Sequence, residues 1–375
     1  MKILLLLITQ NVGGVEKRFY NYCKYIADKT DNNYTVVVSR SLINSLGEIK
    51  FDNHNKIKKY GFNWNKKTRF HRYIDYLSIL FVLIQVSKKK YDIIHYITGS
   101  SLLFEKLLYS KKKVFSCVDS RTEMQDITFT GSIFRRIMNL NFKIDCLDEN
   151  IQNKIRKYYP DKSGNIFVSP CSFINYQDTD CSNEDKTNTI CFAGRLEEFK
   201  GIHLLKDILL EIIKQTDFNV VILGKGSYFA KIEEIIIKHD LNGRVKLGYY
   251  TDIKHVLRNS VIFLSLQKEE NYPSQSLLEA MACKNAIIAT DVGLTRKIVK
   301  KEFGELIKFD KDDLLNSIKK LSLKPDLLSM GALAREFALS NHNIGKFLNL
   351  SYVSVCSLIP NYIIISFAFL LLLIL

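Results

Sequence analysis

Residues 189–201 read Thr189-Ile190-Cys191-Phe192-Ala193-Gly194-Arg195-Leu196-Glu197-Glu198-Phe199-Lys200-Gly201. The first five form a short, largely apolar run, the pattern of a strand buried on both faces. Gly194 permits a tight exit, and residues 201–216 then carry apolar side chains at helical spacing. A buried strand, a glycine-bearing loop and a helix together make the building unit of a parallel sheet covered by helices. Arg195 and Lys200 stand on the loop that enters the helix. Helix-terminal amides with cations beside them suit a diphosphate, although a loop Arg and a loop Lys are equally ordinary solvated residues.

The same plan repeats outward from this segment. Downstream, strands are expected at 219–223, 245–247, 261–265 and 286–290, with helices at 228–239 and 276–283. Upstream, 3–9, 34–39, 92–96, 114–118 and 166–169 read as buried strands, and 15–27 as an amphipathic helix. Strand–helix alternation in both halves predicts an α/β chain of two facing Rossmann-like domains with parallel sheets. Their ligands belong beyond the carboxyl ends of the strands. At 375 residues the chain suits two domains better than one core. The expected boundaries are 1–175, 176–345 and an apolar tail at 346–375; residues 176–189 are polar, acidic and aperiodic, as a connection or surface loop requires.

Composition narrows the classes. A hydrophobic fraction of 47% and a charged fraction of 25% are those of a globular protein and exclude whole-chain disorder. The net charge of +15, mostly from Lys, fits attraction to nucleotide diphosphates, anionic lipid or nucleic acid; a coding bias that puts Lys on every solvated face explains it equally well. The 8 cysteines stand alone, with no CxxC pair and no zinc-ligand spacing. That predicts thiols packed as core filler in a reducing compartment and no protein-held metal. The apolar residues 3–8 read as a first strand, since no small-residue cleavage site follows them. No basic patch interleaved with aromatics is present, so nucleic acid is not expected as a partner. Neither Gly13-Gly14 nor Gly224-Lys225-Gly226 completes the dinucleotide-binding GxGxxG of a dehydrogenase.

A second stretch carries chemistry: Glu269-Glu270-Asn271-Tyr272-Pro273-Ser274-Gln275-Ser276-Leu277-Leu278-Glu279-Ala280-Met281-Ala282. Pro273 and Ser274 break the chain ahead of a helix, so the amides of Gln275 and Ser276 are free to meet an anion. One carboxylate precedes the turn and another lies within the helix, and carboxylates accept well from sugar or ribose hydroxyls. The plain alternative is a charged loop and an ordinary helical Glu279.

Taken in order, the two stretches resemble the donor half of the retaining glycosyltransferases of family 4, the group 1 class with the GT-B fold. Val221-Ile222-Leu223-Gly224-Lys225-Gly226, Val245-Lys246-Leu247-Gly248-Tyr249 and Ile287-Ile288-Ala289-Thr290-Asp291-Val292-Gly293 extend the resemblance. Gly13-Gly14-Val15-Glu16 and Tyr91-Asp92-Ile93-Ile94-His95 echo it more weakly. It implies that Arg195 and Lys200 hold the donor diphosphate with help from the Gln275 and Ser276 amides. It further implies Glu279 on the ribose, Glu270 on the transferred sugar, and Gly224 and Gly226 giving the nucleotide close backbone approach. Gly13 and Gly14 become the acceptor-side loop against the phosphates. No metal or other cofactor is implied, because the nucleotide-sugar is itself the donor. The implied reaction moves a sugar from a nucleotide-diphosphate-sugar to a glycan or lipid-linked glycan, as in surface polysaccharide biosynthesis.

This chain departs from the pattern in three places. The family keeps one residue fewer between its two glutamates, so Asn271 takes the sugar position if the helix sets the register. Val118-Asp119 stands where a His-Asp pair is usual, which makes Asp119 and Arg121 substitute candidates for a catalytic contact. Gly293-Leu294 replaces a double glycine. The rival readings are a nucleotide-sugar epimerase or phosphorylase on the same fold, and a non-catalytic nucleotide- or glycan-binding partner subunit.

Other residues are less specific. His95 and His203 read as structural, and Tyr249-Tyr250 as either flanks of a nucleobase or core. Residues 70–86 are apolar, with Lys66, Lys67, Arg69 and Arg72 before them and Lys88-Lys89-Lys90 after: a buried helix or a contact with an anionic membrane surface. Residues 352–375 carry no charge and are interrupted at Pro360-Asn361. They suit a C-terminal anchor, a packed last helix or a frame-shifted end. The expected location is cytoplasmic, peripheral at the inner face of the membrane.

Overall fold

The computed structural model describes residues 1–9, 32–46, 57–62, 69–117, 142–168, 186–250 and 253–344, with single positions among 16–25 and 135–140. The chain divides into two compact units, one built on Met1–Cys171 and the other on Ser172–Asn343.

The first unit holds seven strands, β1 (Lys2–Leu7), β2 (Asn33–Ser39), β3 (Ile57–Phe62), β4 (Ile93–Tyr96), β5 (Lys112–Cys117), β6 (Phe142–Cys146) and β7 (Ile166–Val168). They pair in the order β3-β2-β1-β4-β5-β6-β7, all parallel. Helices α1 (Arg40–Leu46), α2 (Arg69–Ser87) and α3 (Glu149–Tyr158) are the described helical connections, with a 3-10 segment at Gly99–Leu107. Runs such as Ile3 to Leu7 are buried throughout because a parallel strand in the middle of a layered sheet has no solvated face. Leu4, Leu6 and Ile8 share one apolar cluster with Ile79, Val82, Leu83 and Val86 of α2 and with Leu102, Phe104 and Leu108 around the 3-10 segment. Those two connections therefore lie on the same side of the sheet.

The second unit holds β8 (Thr187–Ala193), β9 (Asn219–Leu223), β10 (Val245–Gly248), β11 (Ser260–Ser265), β12 (Ala286–Thr290) and β13 (Gly304–Ile307), again all parallel, in the order β10-β9-β8-β11-β12-β13. Its helices are α4 (Ile202–Asp207), α5 (Leu209–Gln215), α6 (Phe229–Lys238), α7 (Lys254–Asn259), α8 (Gln275–Ala282), α9 (Thr295–Ile298), α10 (Lys311–Ser322) and α11 (Leu327–Asn341). One apolar core runs through the unit, from Ile190 and Val220 through Phe263 and Ile288 to Leu314 and Ala334.

Two parallel-sheet, Rossmann-like units are thus present, as the strand–helix alternation predicted. The helix expected over 201–216 is two helices, parted at Ile208, whose φ of −110° and ψ of 9° leave the helical region. Strands β3, β6 and β13 were not anticipated. The tail at 346–375 lies outside the described residues.

Candidate functional site

In the second unit the chain starts at β8, moves outward through β9 and β10, then returns to the other side of β8 to lay down β11, β12 and β13. The order therefore reverses between β8 and β11. Loops leaving neighbouring parallel strands in opposite directions open a crevice at their carboxyl ends, where open α/β sheets take ligands. Both stretches singled out from the sequence leave the sheet at this point. Lys200, on the loop after β8, donates from Nζ to Oε1 of Gln267, just past β11, at 2.8 Å. The backbone closes the same gap: Lys268 N donates to Phe199 O at 3.1 Å, and Thr290 Oγ1, ending β12, donates to Gln267 O at 2.6 Å.

The cations are held together locally. The Arg195 guanidinium lies 4.7 Å and the Lys200 ammonium 5.7 Å from the centre of the Phe199 ring, so one aromatic ring orients both. The next loop locks this one in place. Gly194 N donates to Leu223 O at 3.0 Å, Leu196 N to Lys225 O at 2.9 Å and Tyr228 N to Leu196 O at 3.1 Å. A Cβ on Gly224 would stand 1.8 Å from Gly194 O, and one on Gly226 2.4 Å from Leu196 O. The close approach that these glycines serve is to the neighbouring loop. Ser227 donates from N and Oγ to the Glu197 carboxylate at 2.9 and 2.7 Å, which holds that carboxyl below its ordinary pKa.

Helix α8 enters the same edge from the β11 side. Ser274 is its N-cap in extended conformation and makes no side-chain capping bond, so no cap takes up the amides of Gln275 and Ser276. Gln275 Nε2 donates to Glu279 Oε1 at 3.2 Å, one turn along. The far end of the helix is anchored: buried Asn285 donates to Ala280 O and Leu257 O, each at 2.9 Å, and Arg335 on α11 donates to Ala282 O. A helix fixed at its carboxyl end presents its amino end without adjustment.

Glu270 and Asn271 part company in the structure. The Glu270 carboxylate accepts from Leu294 N at 2.9 Å and so anchors the turn before α9. Asn271, beside it, is exposed. That bond links residues 24 positions apart, a contact no local pattern announces. Tyr249 and Tyr250, 53% and 59% exposed at the carboxyl end of β10, are not core residues, and Lys225 Nζ sits 4.1 Å over the Tyr249 ring.

In the first unit the switch falls between β1 and β4. Gly13 and Gly14, which follow β1, and Asp119 and Arg121, which follow β5, lie outside the described residues. His95 is buried: Nε2 is 2.7 Å from Ser116 Oγ, which donates to Asp145 Oδ2 at 3.1 Å, and Phe19 meets the ring edge-on. Burial pushes His95 down to about 3, so it is a neutral structural group. His203 packs between the Tyr228 and Phe309 rings. Cys23, Cys146, Cys191 and Cys283 are buried. Among the described residues no group of three or more His, Cys, Asp or Glu is placed to hold a metal ion.

Residues 178–335, nearly all of the second unit, match a family model described as glycosyl transferases group 1. Over this range the second unit is similar to the group 1 glycosyl transferases. Solved structures extend the likeness in fold to both units. A glycosyltransferase from Rickettsia africae superposes with a TM-score of 0.74 at 20% identity, over 96% of this chain and 99% of that one. Anabaena Alr3699/HepE in complex with UDP gives 0.70 at 16% identity, over 96% and 100%. The two-unit architecture is thus that of GT-B glycosyltransferases. Among curated proteins, an uncharacterised glycosyltransferase of Methanocaldococcus jannaschii is 27% identical over 201 residues, 52% of this chain and 54% of that protein. One subunit of the human phosphatidylinositol N-acetylglucosaminyltransferase is 33% identical over 109 residues, 28% of this chain and 22% of that protein. The chain thus spans about half the length of the first of these relatives and less of the second.

Proposed function

We propose that this chain is a retaining glycosyltransferase, moving a sugar from a nucleoside-diphosphate-sugar to a glycan or lipid-linked glycan in the assembly of a surface polysaccharide. One observation carries the reading: the Lys200–Gln267 bond crosses the switch point and sets the cations of one loop on the edge where α8 begins. The group 1 match of the second unit supports it, as does the UDP held by the Anabaena protein.

In this reading Arg195 and Lys200 bind the donor diphosphate, and the Gln275 and Ser276 amides complete the cradle. When the bond from the anomeric carbon to the diphosphate oxygen breaks, negative charge grows on the leaving diphosphate. Fixed cations and amides already aimed there offset it without reorganising. The acceptor hydroxyl forms the new bond to the anomeric carbon and passes its proton to the departing diphosphate oxygen. Glu279 accepts from the ribose hydroxyls and Asn271 from the transferred sugar, while Glu270 holds the turn behind them. Tyr249 flanks the base. No resident cofactor is invoked, and the site faces the cytoplasm.

The test is a panel of UDP-, GDP- and ADP-sugars incubated with lipid-linked and soluble acceptors, with products identified by mass spectrometry. Release of nucleoside diphosphate together with a glycosylated acceptor is expected. Lys200→Ala should lower kcat/KM by about 10- to 100-fold, the worth of one hydrogen bond to a charged group. Free isomerised sugar or sugar phosphate as product would replace this reading with an epimerase or phosphorylase.

A further inference from the structure

The outer side of α2 is apolar where a surface helix is normally polar. Ile79, Val82, Leu83 and Val86 pack in the core of the first unit. At roughly 100° per residue, Ile74, Leu77, Phe81 and Ile84 fall within an arc of about 80° on the opposite side. They are 45%, 63%, 64% and 47% exposed. A helix apolar on two opposite sides has a second partner. The neighbouring 3-10 segment, which packs beside α2, also leaves Leu103 and Leu107 exposed, with Tyr109 just beyond.

The rim of this patch has one sign. Lys88, Lys89 and Lys90 are exposed just after α2, Lys106 within the 3-10 segment and Lys111 just after it. The acids of the same stretch are Asp75, Asp92 and Glu105. Asp75 and Glu105 are buried, Glu105 against Lys113, and Asp92 accepts from the Lys2 amide.

We propose that this face docks on an anionic lipid surface. The apolar stripe enters the boundary between headgroups and acyl chains, and the lysines meet the headgroups. Charge selects the occupant. A second copy related by a twofold axis would set lysine rim against lysine rim, and an apolar segment of this chain would leave the rim unmatched. The helix lies on the bilayer; among the described residues no helix is long and apolar enough to cross one. The face belongs to the first unit, so it stands or falls independently of the donor site.

The experiment is flotation of the full chain with vesicles of phosphatidylglycerol and phosphatidylcholine, or of phosphatidylcholine alone, at low and at high salt. Binding to the anionic vesicles, weakened by salt, is expected. Leu77→Ser with Phe81→Ser should lower partitioning by roughly tenfold or more. The triple change Lys88→Ser, Lys89→Ser and Lys90→Ser should weaken it and flatten its salt dependence. Because these side chains are outside the core, circular dichroism, melting temperature and nucleotide binding should stay those of the unaltered chain. Equal binding to neutral and anionic vesicles, or undiminished binding by Leu77→Ser with Phe81→Ser, overturns the proposal. So does an unaltered chain that binds no vesicles but forms a dimer which these substitutions dissociate.

Discussion

Replacing Gly201 by Ala perturbs the proposed donor site through the backbone alone. Gly201 has a φ of +69°, and a Cβ placed there would stand 1.9 Å from Leu266 O and 2.7 Å from Leu266 Cβ. A real Cβ keeps at least about 3 Å from such an atom, so the loop after β8 must retreat from the loop after β11 by about 1 Å. The left-handed conformation costs an alanine about 1–2 kcal/mol, and the overpacking about 1–3 kcal/mol more. For a domain of this size that lowers the melting temperature by roughly 4–20 °C. The functional loss comes from position: Lys200 is the adjacent residue, and a displacement of about 1 Å costs on the order of 100-fold in rate. Thermal melts and UDP titrations of Gly201→Ala, with turnover at a temperature where it remains folded, measure both effects. Gly243→Ala is the control, because a Cβ there meets nothing within 4 Å. Unchanged UDP affinity and turnover within twofold in Gly201→Ala would refute the claim that the two loops must meet at the switch point.

Other consequences follow from the same geometry. Asn271→Ala should lower kcat/KM for the sugar donor by roughly tenfold while leaving UDP affinity unchanged, whereas Glu270→Ala should cost about 1 kcal/mol of stability by releasing the Leu294 amide; the reverse pattern would return the sugar contact to Glu270. His95 has a folded pKa of about 3 against an ordinary 6.5, so the unfolded chain takes up a proton that the folded chain refuses. Stability should therefore fall as pH drops below about 6.5, by up to roughly 1.4 kcal/mol per unit until about pH 3; denaturant melts of His95→Gln should show a flatter dependence. Burial pushes the Cys23 and Cys191 thiols up to about 12, so mass spectrometry after iodoacetamide treatment at pH 8 should find both unmodified until the chain unfolds.

The central strands were legible because burial on both faces leaves an unmixed apolar run: β1, β9 and β12 read directly as KILLLL, NVVIL and AIIAT. The edge strands β7 and β10 were legible as well, at 166–169 and 245–247, but three others did not announce themselves. In β3 (IKKYGF) two lysines break the run, β6 (FKIDC) alternates polar residues that bind across the sheet, and β13 (GELI) is short and carries a glutamate. Helix α10 had a readable start, Asp310 accepting from the amides of Asp312 and Asp313, that hydrophobic spacing alone passed over. Of the site, Gly194, Arg195, Lys200 and the start of α8 could be picked out because strand–loop–helix geometry concentrates such residues at one edge. The target of Glu270 could not, since it depends on where β12 delivers Leu294. Tyr249 and Tyr250 were ambiguous for a related reason: an aromatic after a glycine packs inward or projects outward according to the loop, and here it projects.

The most direct measurement is a crystal structure of the chain soaked with UDP. The diphosphate should lie within hydrogen-bonding reach of Arg195, Lys200 and the Gln275 and Ser276 amides, with the ribose against Glu279. A UDP molecule bound elsewhere, leaving Lys200 on Gln267 and the α8 amides untouched, would contradict it.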